Sequence, residues 1–325
     1  MLIVKSLFWI SFFFIVYPYI IYPPLLAVLT YFFPRNLKLK EFINEWPSVT
    51  LIISAFNEEN VISDKLANAT SLNYPTDLLK ILVISDASND NTDSIVNEWT
   101  KLDPRVSLHR QNERLGKTSG LNSAIANVNS SIIVFSDANA MYQQDALYEL
   151  VKYFRDEDVG YVVGSALYND DIMSESQKNE ERYWNLELNI KHWESIFYSV
   201  VGGDGAIYAI RRELYSVLDQ DDINDFINPL QIISRDYIGI FNPKAICNED
   251  AAGNFHKEFK RKRRIVNRSW RAFLKSINKF SIRRHARFLF ELFSHKVIRW
   301  LGFLFFVIMA ACCAIISLLV HEIIY

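Results

Sequence analysis

The stretch VTLIISAFNEE, from Val49 to Glu59, is an uncharged, β-branched run that breaks off into amide and acidic residues. Two further segments repeat that form: ILVIS (Ile81 to Ser85) runs into Asp86, and IIVFS (Ile132 to Ser136) runs into Asp137. Short, continuous apolar runs of this kind are what strands covered on both faces of a parallel sheet look like. Val159 to Leu167 has the composition of a further strand. Helical spacing separates them. Val61, Ile62, Leu66 and Ala69 share one face of Asn60 to Ser71; Ile95, Val96 and Trp99 share one of Thr92 to Leu102; Gly120 to Val128 is a short third segment. The order β-α-β-α-β predicts an α/β fold built on a doubly wound, mostly parallel sheet. Ligands of such sheets lie at the carboxyl ends of the strands.

Those ends are polar in all three cases: Asn57-Glu58-Glu59, then Asp86 to Asp90, then Asp137-Ala138-Asn139. One such end is explained as a helix N-cap, where Asp, Asn and Ser satisfy the first amides. Three on one rim repel each other unless a cation or ligand donors sit among them. Asp137 and Asn139, placed directly after a strand, have the hard oxygens to hold one Mg2+ or Mn2+ ion, with phosphate oxygens completing an octahedral shell. Asp86 can instead accept hydrogen bonds from a base or a ribose. Gly116-Lys117-Thr118 has the tail of a phosphate-binding loop, but Gln111 stands where that motif requires glycine.

Working outward, the 325-residue chain is 50% hydrophobic and 22% charged, which excludes disordered and low-complexity classes. Three cysteines make no disulfide framework, and a net charge of −2 gives no sign of a nucleic-acid binder. The charge is unevenly spread: His256 to Trp300 holds 15 Lys/Arg and 2 Asp/Glu. Leu7 to Phe33 is free of charge over 27 residues, as is Leu301 to Val320 over 20. A helix of the first length is about 40 Å long, enough to cross a hydrocarbon core of about 30 Å. Pro18, Pro23 and Pro24 bend it, so a single crossing and a re-entrant shape both remain open. Arg35, Lys38 and Lys40 follow the first run, and Arg283, Arg284, Arg287, Lys296 and Arg299 precede the second. The positive-inside tendency then places the intervening chain in the cytoplasm of a multi-pass protein of the cell inner (plasma) membrane. The expected organisation is an N-terminal transmembrane segment (1–34), a catalytic domain (35–272), a basic amphipathic segment against membrane lipids (273–299) and a C-terminal transmembrane helix (300–325).

The ordered series SAFNEEN, SDASNDNTD, LGKTSGLNSAI and FSDANA resembles the inverting family-2 glycosyltransferases of GT-A fold. Within them it is similar to the membrane-bound branch that includes hyaluronan, cellulose and poly-N-acetylglucosamine synthases, over about Pro47 to Ala272. The resemblance implies that Phe56, Asn57 and Glu58 line a nucleotide pocket and that Asp86 contacts the base of a nucleotide-diphosphate sugar, usually a uridine diphosphate sugar. Asp137 takes the first place of the family's Asp-x-Asp metal motif, with Asn139 replacing the second acid. Lys117 and Asn122 match the family's stretch beside the donor diphosphate and sugar.

Further along, Gly203-Asp204-Gly205 corresponds to the family's acceptor-side loop. Inverting transfer needs one carboxylate to take the proton of the acceptor hydroxyl. Asp225, at the start of an apolar helical pattern, matches the family's base, with Asp222 as the next candidate. Arg264 keeps the arginine of the Gln-x-x-Arg-Trp motif of processive synthases and is placed to bind the departing diphosphate. Arg261 and Ile265 stand where that motif has glutamine and tryptophan. The reading is therefore a metal-dependent transferase moving a sugar to a membrane-associated glycan or lipid-linked acceptor, in exopolysaccharide, capsule or cell-surface glycan synthesis. Two other readings stay open: a processive synthase working as an oligomer, and a catalytically silent membrane subunit bound to a partner synthase.

Overall fold

A computed structural model describes residues 1–37, 46–169, 175–250 and 255–324. The apolar runs become strands β1 (Val49–Ala55), β2 (Leu79–Ser85), β3 (Val106–Arg110) and β4 (Ile132–Asp137). The two-residue β5 (Met141–Tyr142) follows, then β6 (Val159–Asn169), β7 (Tyr208–Arg211) and β8 (Ile238–Asp250). All eight form one sheet in the order β3-β2-β1-β4-β7-β6-β8-β5. β3-β2-β1-β4 are parallel throughout, as is the β6–β8 pair, while β7 runs antiparallel to both β4 and β6 and β5 antiparallel to β8. In this register Ala55 lies opposite Ser85 and Ser54 opposite Asp137, so the polar tails of β1, β2 and β4 emerge level with one another.

The strands are joined by helices α3 (Ile62–Thr70), α4 (Thr92–Leu102), α5 (Lys117–Ile125), α6 (Ala146–Val151), α7 (Glu175–Phe197) and α8 (Asn224–Ile233). Alternation along β1 divides the interior. Val49, Leu51 and Ile53 face the layer holding Leu66 and Val96, and Ile52 faces the layer holding Leu121 and Leu230. Full burial of each such side chain is worth about 1.5–3 kcal/mol. Packing is close at Gly120 of α5, where an added Cβ would lie 2.7 Å from Ile84 Cγ2 on β2. Gly120→Ala is therefore expected to cost about 1–3 kcal/mol, read as a lower denaturation midpoint.

At the N-terminus α1 (Leu2–Val16), a π turn (Tyr17–Ile21) and α2 (Tyr22–Phe32) make one helical run in which Pro18 coincides with the irregular turn. At the other end α9 (Phe255–Ser276), α10 (Ile282–Leu292) and the single turn α11 (Ile298–Trp300) lead into α12 (Gly302–Ile324). Leu2–Phe32 and Gly302–Leu319 are long and apolar enough to cross a membrane. They pack together, with Phe14 stacked on Phe305 at 5.0 Å, yet leave residues such as Leu2 (80% exposed) and Phe303 (78%) bare. Lys38 and Lys40, flanking charges in the sequence reading, lie outside the described residues.

The basic segment turns part of its charge inward. Arg271 pairs with Asp221, Lys275 with Asp219 and Asp222, and Arg284 with Asp236. Phe273, Phe288 and Leu292 are buried against the sheet layer that contains Phe135 and Leu230. The segment is thus part of the packing of the sheet body, while Leu274 and Ile282 remain exposed.

Candidate functional site

The site grows from three strand ends locked to each other. After β1 the chain turns through Asn57 with φ of 56°, a left-handed conformation that Asn tolerates. The Asn57 amide donates to Ser88 Oγ (3.2 Å), its Oδ1 accepts from the Asn89 amide (3.0 Å), and the Glu58 amide donates to Thr92 Oγ1 (2.8 Å). The loops after β1 and β2 are therefore one unit.

Asp86, at the end of β2, is nearly buried, and its Oδ1 accepts from Gln111 Nε2 (2.7 Å) and the amides of Leu115 (3.0 Å) and Gly116 (2.9 Å). Gln111, the residue that spoils the phosphate-loop motif, thus orients the carboxylate. Arg114 lies 3.9 Å from Asp86 Oδ2 and stacks its guanidinium on Phe56 at 3.7 Å. A flat cation–aromatic pair beside an oriented carboxylate is a surface on which a nucleobase can stack and hydrogen-bond.

Gly116, with φ of 89°, turns the chain into α5, whose first residue Lys117 reaches across to Asp137 (Nζ to Oδ1, 2.6 Å) at the end of β4. The other Asp137 oxygen faces Gly205. A Cβ built on Gly205 would stand 3.6 Å from Asp137 Oδ2 and 3.4 Å from Asp225 Oδ2. Two carboxylates 88 residues apart in the chain thus look onto one spot. Asp225 lies in the first turn of α8, and its Oδ1 is sealed from solvent with no hydrogen-bond partner among the described residues. Burial pushes its carboxyl up to about 6, with Lys117 opposing the rise and Asp204 and Asp137 adding to it. Gly205→Ala, whose methyl group would enter this space, is expected to lower kcat at least about tenfold by misplacing the reacting groups. A circular dichroism spectrum matching the parent would separate that loss from misfolding.

More charge borders the spot. Asp204 accepts from Lys191 Nζ of α7 at 3.1 Å, both side chains being largely buried. Glu249, near the end of β8, is pushed up to about 7 by burial and by Asp204 and Asp137, against Arg261 and Lys117. Glu58 is raised by burial, Asp137 and Asp90. Glu58, Lys117, Asp137, Asp204, Gly205, Asp225 and Glu249 are consequently neighbours, with Phe56 next but one to Glu58 in the chain.

The Asn122 side-chain amide holds the loop at 215–218, accepting from Tyr215 Oη (2.8 Å) and the Leu218 amide (3.0 Å) and donating to the Leu218 carbonyl (2.8 Å). Asp222 is buried under Lys275 and accepts the Asp219 amide, a structural use. Arg264 is exposed on α9, and the cation of that helix that bears on Glu249 is Arg261. Asn139 is half-buried in the turn closed by the Ala140 amide on the Asp137 carbonyl (3.3 Å). Arg114, Lys191 and Glu249 were not singled out. The strand-end rule reaches Glu249 once β8 is recognised, whereas Pro243 and Lys244 interrupt that strand's pattern.

Among the described residues no three His, Cys, Asp or Glu side chains form a metal-binding group. Asp137, whose Oδ2 faces Gly205, offers a hard carboxylate oxygen there, with Glu58, Asp204 and Asp225 beside it. That donor set suits a hard divalent ion that draws most of its shell from diphosphate and water, in the manner of Mg2+.

Comparison with known proteins agrees with this geometry. The family model described as glycosyl transferase family 2 matches residues 50–219. The chain is 30% identical over 300 residues to the probable glycosyltransferase YdaM of Bacillus subtilis, covering 88% of this chain and 70% of that one. It is 29% identical over 181 residues to a beta-monoglucosyldiacylglycerol synthase of Trichormus variabilis, covering 54% of this chain and 36% of that one. The fold superposes on the mannosyltransferase PcManGT from Pyrobaculum calidifontis, solved with GDP-Man and Mn2+, with a TM-score of 0.80 at 22% identity, over 97% of this chain and 87% of that one. With the motif order, the level strand ends and the family match all falling on the same residues, the chain belongs to glycosyl transferase family 2.

Proposed function

We propose that the protein is an inverting, metal-dependent glycosyltransferase that moves a sugar from a nucleotide-diphosphate donor, a uridine diphosphate sugar, to a lipid-linked or glycan acceptor at the membrane. The observation that carries this reading is the convergence of Asp137 Oδ2 and Asp225 Oδ2 on Gly205. The base of the donor stacks at Phe56 and Arg114 and meets Asp86. The diphosphate lies towards Lys117 and Asp137, which leaves the anomeric carbon over Gly205. Asp225 takes the proton of the acceptor hydroxyl as its oxygen bonds to that carbon, and the bond from carbon to the diphosphate oxygen breaks with its electron pair going to the diphosphate. A single displacement of this kind inverts the centre and needs no second carboxylate nucleophile. A divalent ion held by Asp137 and Asn139 would neutralise charge on the leaving diphosphate.

The two apolar helices support attachment to a membrane, and the arginines and lysines beside them support a catalytic body on the cytoplasmic side. The likeness to a beta-monoglucosyldiacylglycerol synthase supports a lipid acceptor, and a place in cell-surface glycan synthesis follows from that chemistry. The test is to incubate the full-length protein in detergent with UDP-glucose, UDP-N-acetylglucosamine, UDP-galactose and GDP-mannose, with Mg2+ or Mn2+, and to assay free nucleotide. Release from at least one donor, abolished by chelator, is expected; silence with all of them in the presence of added membrane lipid would sink the reading.

A further inference from the structure

Helix α8 contains Pro229 in its interior, four residues after Asp225. In an α-helix the amide of residue 229 would donate to the carbonyl of residue 225, and proline has no such hydrogen. The neighbouring turn is regular at its start, since the Ile227 amide donates to the Ile223 carbonyl at 3.0 Å. The Asp225 carbonyl is instead taken by the amide of Gly203, at 2.5 Å. Contact there is close enough that a Cβ on Gly203 would stand 2.9 Å from the same oxygen. The acceptor-side loop is therefore fastened to the backbone of the residue that carries the base.

We propose that Pro229 is a positioning residue, which leaves the Asp225 carbonyl open so that the Gly203 amide can lock the Gly202–Gly205 loop against the base. This rests on the reading of Asp225 as base and deepens it. The lock explains a helix-breaking residue buried in the middle of α8, a placement that ordinarily costs helix stability. It also fixes Gly205, two residues beyond the lock, at its short distance from the Asp225 carboxylate. At its other end the same loop is held by Glu194, whose Oε2 accepts the Val201 amide (3.0 Å). Glu194 Oε1 meets Tyr22 Oη (3.1 Å) and His295 Nδ1 (2.6 Å) from the membrane-side helices. The loop thus spans from the membrane side to the base, and Pro229 supplies its inner fastening.

The test is Pro229→Ala in the full-length protein, with Pro229→Val as a second variant nearer in volume. Each restores the helical amide, which competes for the Asp225 carbonyl. Four quantities are compared with the parent: hydrogen exchange of the Gly203 amide, the thermal midpoint, Mn2+-dependent affinity for UDP and GDP, and turnover of whichever donor the parent uses. The expected result is faster exchange at Gly203, an unchanged or higher midpoint, unchanged nucleotide affinity, and a tenfold to hundredfold loss of kcat, the scale of a misplaced reacting group. Unchanged exchange at Gly203, or kcat within twofold of the parent in a folded variant, overturns the proposal. So does a loss of nucleotide affinity parallel to the loss of kcat. A parent that releases no nucleotide from any donor is a failure of the catalytic reading instead, and the exchange measurement still decides the lock.

Discussion

Asp225→Asn is expected to lower sugar transfer about a thousandfold, within the 10²–10⁴ range for loss of a general base, while nucleotide affinity stays within twofold of the parent. Asn keeps the shape of the side chain and its place beside Gly205 but cannot accept the proton of a hydroxyl. The same assignment fixes a pH profile. Burial raises the Asp225 carboxyl to about 6, so below that pH the group is protonated and cannot act as a base. The rate of the parent should fall about tenfold per pH unit beneath about 6 and level off above it, since only the carboxylate form works. Nucleotide release followed from pH 4.5 to 8, with binding by calorimetry, checks both. Normal turnover by the Asn variant would transfer the role of base elsewhere.

The second large effect is expected at Asp137→Ala. Losing only an outer partner of a metal ligand costs about 10–100-fold in metal affinity, so removing the sole carboxylate of the turn proposed to hold the ion should exceed about a hundredfold. Because Lys117 lies 2.6 Å from Asp137, the substitution also releases an ammonium group beside the diphosphate position. Nucleotide binding by the variant should therefore become indifferent to Mn2+ and to chelator, rather than vanish. Calorimetric titration of UDP with and without Mn2+ distinguishes these outcomes. A variant that keeps a full Mn2+ response would place the ion on other oxygens.

Strands β1, β2 and β4 were legible because they are buried on both faces and so read as unbroken β-branched runs. β3 was not: VSLHR has apolar residues only at Val106 and Leu108, as suits an edge strand with one covered face. Nor could local pattern foretell that β7 enters antiparallel between β4 and β6, since that pairing is set by tertiary packing. The site divides in the same way. Asp86, Asp137 and Asp225 were reachable because each follows a strand or opens a helix. Lys191 was not, being one lysine within a long helix whose partner Asp204 lies 13 residues on. Asn122 carries hydrogen bonds to Tyr215 and Leu218 that its place in the motif does not announce, because those partners come from a loop more than 90 residues on.

The clasp between the C-terminal helices and the catalytic body has two unlike parts. Its rim is ionic and open to solvent at Arg271–Asp221, Lys275–Asp219 and Arg284–Asp236. Its inner seam is aromatic and aliphatic at Phe273, Phe288 and Leu292. Concentrated electrolyte shortens the reach of charges to about 3 Å at 1 M and strips the rim of its grip, while leaving the greasy seam shut. High salt should therefore loosen the ionic rim while the aromatic and aliphatic seam keeps the C-terminal helices on the body.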